Sequence, residues 1–127
     1  MAQGGRLSAL LLGTVMLIAA CGGGGGQRGG TATPPPQATT VAVTETEFKF
    51  EPKAMTAKAG RVTFEIKNAG SVEHNFIIEN TSVKLEGIQP GQTKTASATL
   101  AAGTYTVLCT IPGHQEAGMT GTLTVSP

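Results

Sequence analysis

Hydrophobic and polar residues alternate with a period of two from Val41 to the end of the chain, and turn residues interrupt the pattern at short intervals. The segment Arg61–Asn68 is the clearest example, because Val62, Phe64 and Ile66 fall on one face and polar residues fall on the other. No segment carries a convincing helical period. The pattern predicts an all-β domain of seven or eight short strands, arranged as an antiparallel sandwich or a small barrel.

The predicted strands differ in how clearly they alternate. Tyr105, Val107 and Cys109 are expected on one face of a late strand, and Ile88–Gly91 is predicted as a turn. In chain order the predicted strands are 41–43, 48–50, 54–58, 61–68, 74–79, 93–100, 104–109 and 122–125.

The first twenty residues have a different character. Arg6 precedes an apolar run from Leu7 to Ile18, which is too short for a mature membrane helix of about 20 residues but fits the core of a secretory signal. The run ends in Leu-Ile-Ala-Ala-Cys21, which is similar to the lipobox of bacterial lipoproteins. We therefore predict a signal peptide over 1–20 and lipidation of Cys21, which would place the protein on the extracytoplasmic face of a membrane. An ordinary signal cleaved near Ala20 is the alternative.

Residues 21–40 are rich in glycine and then in proline and threonine. Such a segment buries too little apolar surface to offset the entropy of ordering it. We predict a tether between the lipid anchor and a folded domain over 41–127. The alternative is a disordered N-terminus whose length has no role.

The charge and the cysteine content of the chain limit the functions that it can have. Nine basic residues balance eight glutamates, so the chain has no basic surface for nucleic acid. The two cysteines, Cys21 and Cys109, permit a disulfide, but a lipidated Cys21 would leave Cys109 free for another role.

A short segment near the end of the chain concentrates metal-binding chemistry. Cys109, His114 and Met119 lie within eleven residues, and His74 begins an earlier predicted strand. Because the chain leaves one strand at Cys109 and enters the next at Thr122, the loop returns to the same end of the sandwich. One Cys, two His and one Met are the soft ligand set of a mononuclear blue-copper site. Zinc is the main competing metal, although methionine is a poor zinc ligand.

Each of these residues also has a purely structural interpretation. Cys109 would be a small buried hydrophobe, His74 a hydrogen-bonded loop histidine and Met119 a core side chain. Their order and their placement beside the predicted strands favour the metal site.

The same residues resemble a known family. The segment Gly113–Gly121, followed by Leu-Thr-Val, is similar to the copper-loop signature of plastocyanins, and His74-Asn-Phe76 is similar to the upstream ligand segment. The chain thus resembles the cupredoxins, or blue-copper proteins, from Val41 to Val125. Four residues separate Cys109 from His114, where plastocyanins typically have two, and this spacing is closer to the auracyanin and rusticyanin-like group.

The resemblance implies a Greek-key sandwich that holds one type 1 copper ion. Cys109, His74 and His114 would be the strong ligands and Met119 the weak axial ligand. It further implies that Asn75 links the two ligand segments and points its backbone N–H at the Cys109 sulfur. The N–H of Ile111 is a second candidate donor to that sulfur. His114 would be the electron port, within a patch completed by Ile111, Pro112 and Gly113.

We therefore expect a monomeric one-electron carrier that cycles between Cu(I) and Cu(II), with a donor and an acceptor protein in a membrane electron-transport chain. Catalysis is not expected, because copper enzymes with further copper ions need more histidines than the two already used. An extracytoplasmic copper carrier or storage lipoprotein is the principal alternative. A metal-free adhesion or structural sandwich is the other.

Overall fold

The structure is a computed structural model that describes residues 38–127, and these residues form nine strands. The predicted signal peptide, the lipidation site Cys21 and all but the last residues of the predicted tether lie outside the described residues. No helix in the described part of the chain is long and apolar enough to cross a membrane. The strands are β1 (Thr39–Thr46), β2 (Lys49–Glu51), β3 (Ala54–Lys58), β4 (Gly60–Asn68), β5 (His74–Ile78), β6 (Lys84–Ile88), β7 (Thr93–Leu100), β8 (Gly103–Leu108) and β9 (Thr120–Ser126).

The strands form two sheets that pack as a sandwich. One sheet has the order β2-β1-β4-β7 and the other has the order β3-β9-β8-β5-β6. The predicted all-β sandwich is therefore confirmed, and the described residues form nine strands where seven or eight were predicted.

The strand that the sequence pattern missed is β6. A β-bulge interrupts its pairing with β5 between His74 and Phe76, and Gly87 adopts a left-handed φ of 64°. The bulge shifts the phase of the side chains, so that Leu85 is half-buried and Ile88 is fully buried three residues later. A strand with a bulge loses the period-two pattern by which strands are predicted.

Two of the strand pairs are parallel, which the expected antiparallel arrangement did not include. β1 pairs in parallel with β4, and β3 pairs in parallel with β9. Parallel neighbours need a crossover connection, and their pairing depends on where distant strands lie rather than on the local alternation of residues.

Alternating side chains of both sheets meet in a single core. Phe64 and Phe76 come from opposite sheets, and both are fully buried with ring centroids 5.8 Å apart. Phe50 meets Phe76 edge to face at 5.6 Å. Burying side chains of this size stabilises the fold by about 1.5–3 kcal/mol each relative to exposure. These contacts hold the two sheets face to face.

The β1–β2 connection differs from the predicted strand over 48–50. Thr46 pairs with Lys49, which leaves Glu47 and Phe48 as a two-residue hairpin loop. Phe48 adopts a left-handed φ of 61°, and its side chain is 42% exposed. Alternation alone places Phe48 in the strand, whereas its positive φ places it in the turn.

Glu45 is an unusual member of the core. It follows Val41 and Val43 on the inner face of β1, it is fully buried, and neither carboxylate oxygen has a hydrogen-bond partner within the described residues. Burial raises the pKa of Glu45 to about 7. The folded protein therefore retains a proton on Glu45 at pH values where the unfolded chain has released it.

We predict that Glu45 makes the metal-free protein less stable as the pH rises from about 4.5 to about 7, whereas His74, with its lowered pKa, acts in the opposite direction over part of this range. In this range the Glu45 carboxyl group binds fewer protons in the unfolded chain than in the folded protein, so its contribution to the free energy of unfolding falls with pH. At about 1.4 kcal/mol per pH unit the total loss from Glu45 is about 3 kcal/mol. Glu45→Gln should remove this contribution, so that its free energy of unfolding, measured in urea at several pH values, falls less with rising pH than that of the wild type.

Glu65→Gln is the matched control, because Glu65 lies on the neighbouring strand β4 with its side chain exposed. This variant should keep the wild-type slope. An equal slope in wild type and Glu45→Gln would contradict the protonation of Glu45 in the folded protein.

Candidate metal centre

Two strands of the same sheet bring the candidate ligands together at one end of the sandwich. His74 is the first residue of β5, and Cys109 follows the last residue of β8. Because β5 and β8 are antiparallel neighbours, the start of one strand lies beside the end of the other. His114 then reaches the same place from the loop between β8 and β9.

The ligand atoms of these three residues converge. His74 Nδ1 lies 3.3 Å from His114 Nδ1, and Cys109 Sγ lies 3.5 Å from His114 Nδ1. All three atoms lie within 4.8 Å of one another. Metal ions bind imidazole nitrogen and thiolate sulfur at about 2.0–2.3 Å, so three ligands spread evenly around one ion lie roughly 3.6 Å apart. The observed spacing fits a single ion between the three atoms.

The loop between β8 and β9 is held by its own backbone hydrogen bonds. The Met119 N–H donates to the His114 carbonyl at 3.0 Å, and the Cys109 N–H donates to the Met119 carbonyl at 3.2 Å. Gly113 and Gly118 adopt left-handed φ values of 87° and 105°, which allow the chain to turn on either side of His114. These bonds tie Cys109, His114 and Met119 into one compact unit.

Burial distinguishes one candidate ligand from the others. His74, Cys109 and Met119 are fully buried, whereas His114 is half-buried and so reaches the surface. One thiol and two imidazoles, with a methionine on the same loop as Cys109 and His114, fit the donor set of a type 1 copper site.

Burial, and secondarily the nearby His114, lowers the pKa of His74. Glu47 acts in the opposite direction, but its effect is smaller. A lower pKa favours the neutral imidazole, which is the form that binds a metal ion. The site therefore holds His74 ready for coordination.

Asn75 connects the two ligand-bearing segments. Its backbone N–H donates to Cys109 Sγ at 3.3 Å, and its side-chain amide donates to Thr110 Oγ1 at 2.9 Å. Its amide oxygen accepts the N–H of Gly87 at 3.0 Å, which joins β6 to the same network. The N–H of Ile111 does not donate to the sulfur in the described residues, so Asn75 is its backbone donor there.

Sequence reasoning missed Phe48, which lies beside His114. The two rings meet edge to face with centroids 5.1 Å apart. Phe48 and Val72 are the two exposed large hydrophobic residues of the described chain, at 42% and 40%, and both lie in loops at the His114 end. The sequence gives no clear signal for Phe48, because its place outside the strand depends on the hairpin geometry.

The predicted patch residues lie around His114. Pro112 and Gly113 are exposed, and Ile111 is half-buried and packs against the core. Together with Phe48 they form an apolar surface beside His114, called here the port patch.

Comparisons with known proteins agree with this arrangement. Residues 12–125 match the model of the cupredoxin-like domain family. The chain is 30% identical over 108 residues to the copper-resistant cuproprotein CopI of Rubrivivax gelatinosus, covering 68% of this chain and 66% of that protein. It is 36% identical over 87 residues to the plastocyanin of Scenedesmus fuscus, covering 60% of this chain and 85% of that protein.

A solved structure is similar over most of its length. Dithionite-reduced auracyanin from Roseiflexus castenholzii superposes with a TM-score of 0.62 at 25% identity, covering 71% of this chain and 98% of that one. The family match, the shared fold and the converging His, Cys and His side chains agree. The chain belongs to the cupredoxin family of blue-copper proteins.

Proposed function

We propose that this protein is a mononuclear blue-copper electron carrier. The observation that carries the proposal is the convergence of His74 Nδ1, Cys109 Sγ and His114 Nδ1 at separations that suit one ion. Met119 would be the weak axial ligand. A bound copper ion would supply the one-electron Cu(I)/Cu(II) couple. Burial of His74, Cys109 and Met119 and the hydrogen bond to the Cys109 sulfur would limit rearrangement between the two states.

The port patch would be the route by which electrons enter and leave. His114 is the one strong-ligand candidate that reaches the surface, and the exposed ring of Phe48 lies beside it. A small apolar contact around a redox centre suits the short-lived encounters of electron carriers, which use small interfaces.

The charged residues around the port patch indicate which surface charge a partner would need. Exposed Glu47, Glu73 and Glu116 lie in the loops at this end, and these loops contain no lysine or arginine. Glu47 stays ionised, because hydrogen bonds from the Ser71 backbone N–H and then from its hydroxyl lower its pKa to about 2. A redox partner with an apolar centre and a positively charged rim would complement this surface.

Membrane attachment is part of the proposal. The apolar run before Cys21 and the Gly- and Pro-rich segment after it support a lipid-anchored protein on the extracytoplasmic face of a membrane. There it would exchange electrons with donor and acceptor proteins of a membrane electron-transport chain.

A copper carrier is the second candidate function. Similarity to a relative whose name links it to copper resistance favours this function. The chain spans about two thirds of the length of that relative. Transfer of copper to a chelator would separate the two functions, since a redox centre should release its ion slowly and a carrier should release it rapidly.

We predict that adding one equivalent of Cu(II) to the protein gives an intense visible absorption band. The band should bleach with ascorbate and return on oxidation, because it requires the thiolate of Cys109 bound to Cu(II). Cys109→Ser should abolish it. A colourless wild-type protein, or a band that persists in the variant, would refute the proposed centre.

We predict that Met119→Gln retains copper and the blue band but lowers the reduction potential. An oxygen ligand stabilises Cu(II) relative to Cu(I) more than a thioether does. A fall of about 60 mV corresponds to a tenfold change in the one-electron equilibrium. Redox titration should give at least this fall, and an unchanged potential would exclude Met119 as a ligand.

We predict that Phe48→Ala slows electron self-exchange between copper-loaded molecules while leaving the absorption spectrum unchanged. Loss of about 1 kcal/mol of apolar contact would slow exchange roughly fivefold, as measured by NMR line broadening in mixtures of Cu(I) and Cu(II) protein. Thr95→Ala, at an exposed position of β7, is the control. Equal rates in wild type and Phe48→Ala would remove Phe48 from the contact surface.

A further inference from the structure

One nitrogen of the His74 imidazole faces the metal site, and the other faces away from it. Nδ1 faces His114, whereas Nε2 is buried and has no hydrogen-bond partner among residues 38–127. Metal-binding histidines usually donate their second N–H to an acceptor that fixes the ring. In this protein the orientation of the ring must therefore depend on what packs behind it.

Gly70 packs behind the His74 ring. A Cβ atom built on Gly70 would lie 3.2 Å from His74 Nε2 and 2.9 Å from Glu47 Oε1. The φ angle of Gly70 lies outside the left-handed region, so the backbone conformation does not itself call for glycine. Close approach to the Glu47 carboxylate and then to the imidazole leaves little room for a side chain here.

Asn68 holds the segment that contains Gly70. Its buried side-chain amide donates to the Val72 carbonyl at 2.7 Å and to the Ile88 carbonyl at 2.8 Å. Its amide oxygen accepts the N–H of Gly70 at 2.9 Å. One side chain thereby joins the end of β4, the loop before His74 and the end of β6.

Glu47 holds the same loop from the outside. Its carboxylate accepts the backbone N–H of Ser71 at 2.6 Å and the Ser71 hydroxyl at 2.8 Å. Glu47 is exposed, so its far end has freedom to move, whereas Asn68 is fully enclosed. Asn68 is therefore the firmer of the two attachments.

We propose that Asn68 is a positioning residue for His74, acting through the Gly70–Val72 segment to fix the imidazole at the metal site. The proposal rests on the copper function proposed above. Removal of the amide would leave the Gly70 N–H and the carbonyls of Val72 and Ile88 without their partner. The loop would then relax, and the surface behind His74 Nε2 would no longer be fixed.

The test compares Asn68→Ala with Val62→Ala. Val62 is a fully buried residue of the same strand at the opposite end of the sandwich, so its truncation destabilises the fold without touching the loop. Urea unfolding of both metal-free variants would measure the general loss of stability. Cu(II) affinity, the EPR spectrum of the Cu(II) form and amide hydrogen exchange at Gly70 in the metal-free protein would measure the local effect.

We expect Asn68→Ala to bind Cu(II) roughly 10–100-fold more weakly than wild type, which is typical when a group that orients a ligand is lost. Its EPR spectrum should change, and the Gly70 amide should exchange faster even without metal. Val62→Ala should keep the wild-type affinity and EPR spectrum. Equal copper affinity and EPR changes in the two variants would reduce Asn68 to a general structural role and overturn the proposal.

Gly70→Ala provides an independent test if Asn68→Ala fails to fold. It keeps the amide of Asn68 but puts a methyl group 3.2 Å from His74 Nε2 and also close to Glu47 Oε1 and Asn68 Oδ1. We expect weaker Cu(II) binding and an altered EPR spectrum, and wild-type values would overturn the proposal. A wild-type protein that forms no blue site would instead refute the proposed function, while hydrogen exchange at Gly70 would still report on the support that Asn68 gives to the loop.

Discussion

The antiparallel pairing of β5 with β8 is the constraint on which the metal centre depends. Ile77 pairs with Leu108 and Ile78 pairs with Val107, which brings the residue that begins β5 close to the residue that follows β8. Every residue of β5 is buried, so the strand has little freedom to shift its register. A slip of one residue would turn His74 away from Cys109 and dismantle the site.

The candidate ligands around this strand pair are held in two ways. Hydrogen bonds hold Cys109 and the loop of His114, whereas packing holds His74. The Asn75 N–H supports the Cys109 sulfur, and the loop that carries His114 closes on itself through backbone bonds. His74 differs, because its second nitrogen is buried without a partner in the described residues and faces Gly70. The orientation of the His74 ring therefore depends on the loop that packs behind it.

Buried side-chain groups without hydrogen-bond partners have an energetic cost, and in the described residues those of Glu45, Thr46 and His74 lie at this end of the sandwich. Glu45 and the Nε2 atom of His74 are both enclosed, and Glu45 lies beside Asn68 in the pairing of β1 with β4. An ion that binds only the folded protein would offset part of this cost by mass action. A domain of this size has a modest core, so such a contribution would matter for its stability.

The sequence by itself determined the all-β class and most strands, because alternation with a period of two reports directly which side chains face a core. It also brought out the four candidate ligands, since Cys109, His114 and Met119 are close in the chain and His74 begins a strand. Only the tertiary structure decided the parallel pairs, the bulged strand β6 and the turn that exposes Phe48, because each depends on distant strands or on local backbone geometry. The same holds for Asn68, whose sequence context is that of an ordinary strand end. Its importance follows from three hydrogen bonds, two of them to neighbouring residues and one to a strand twenty residues away.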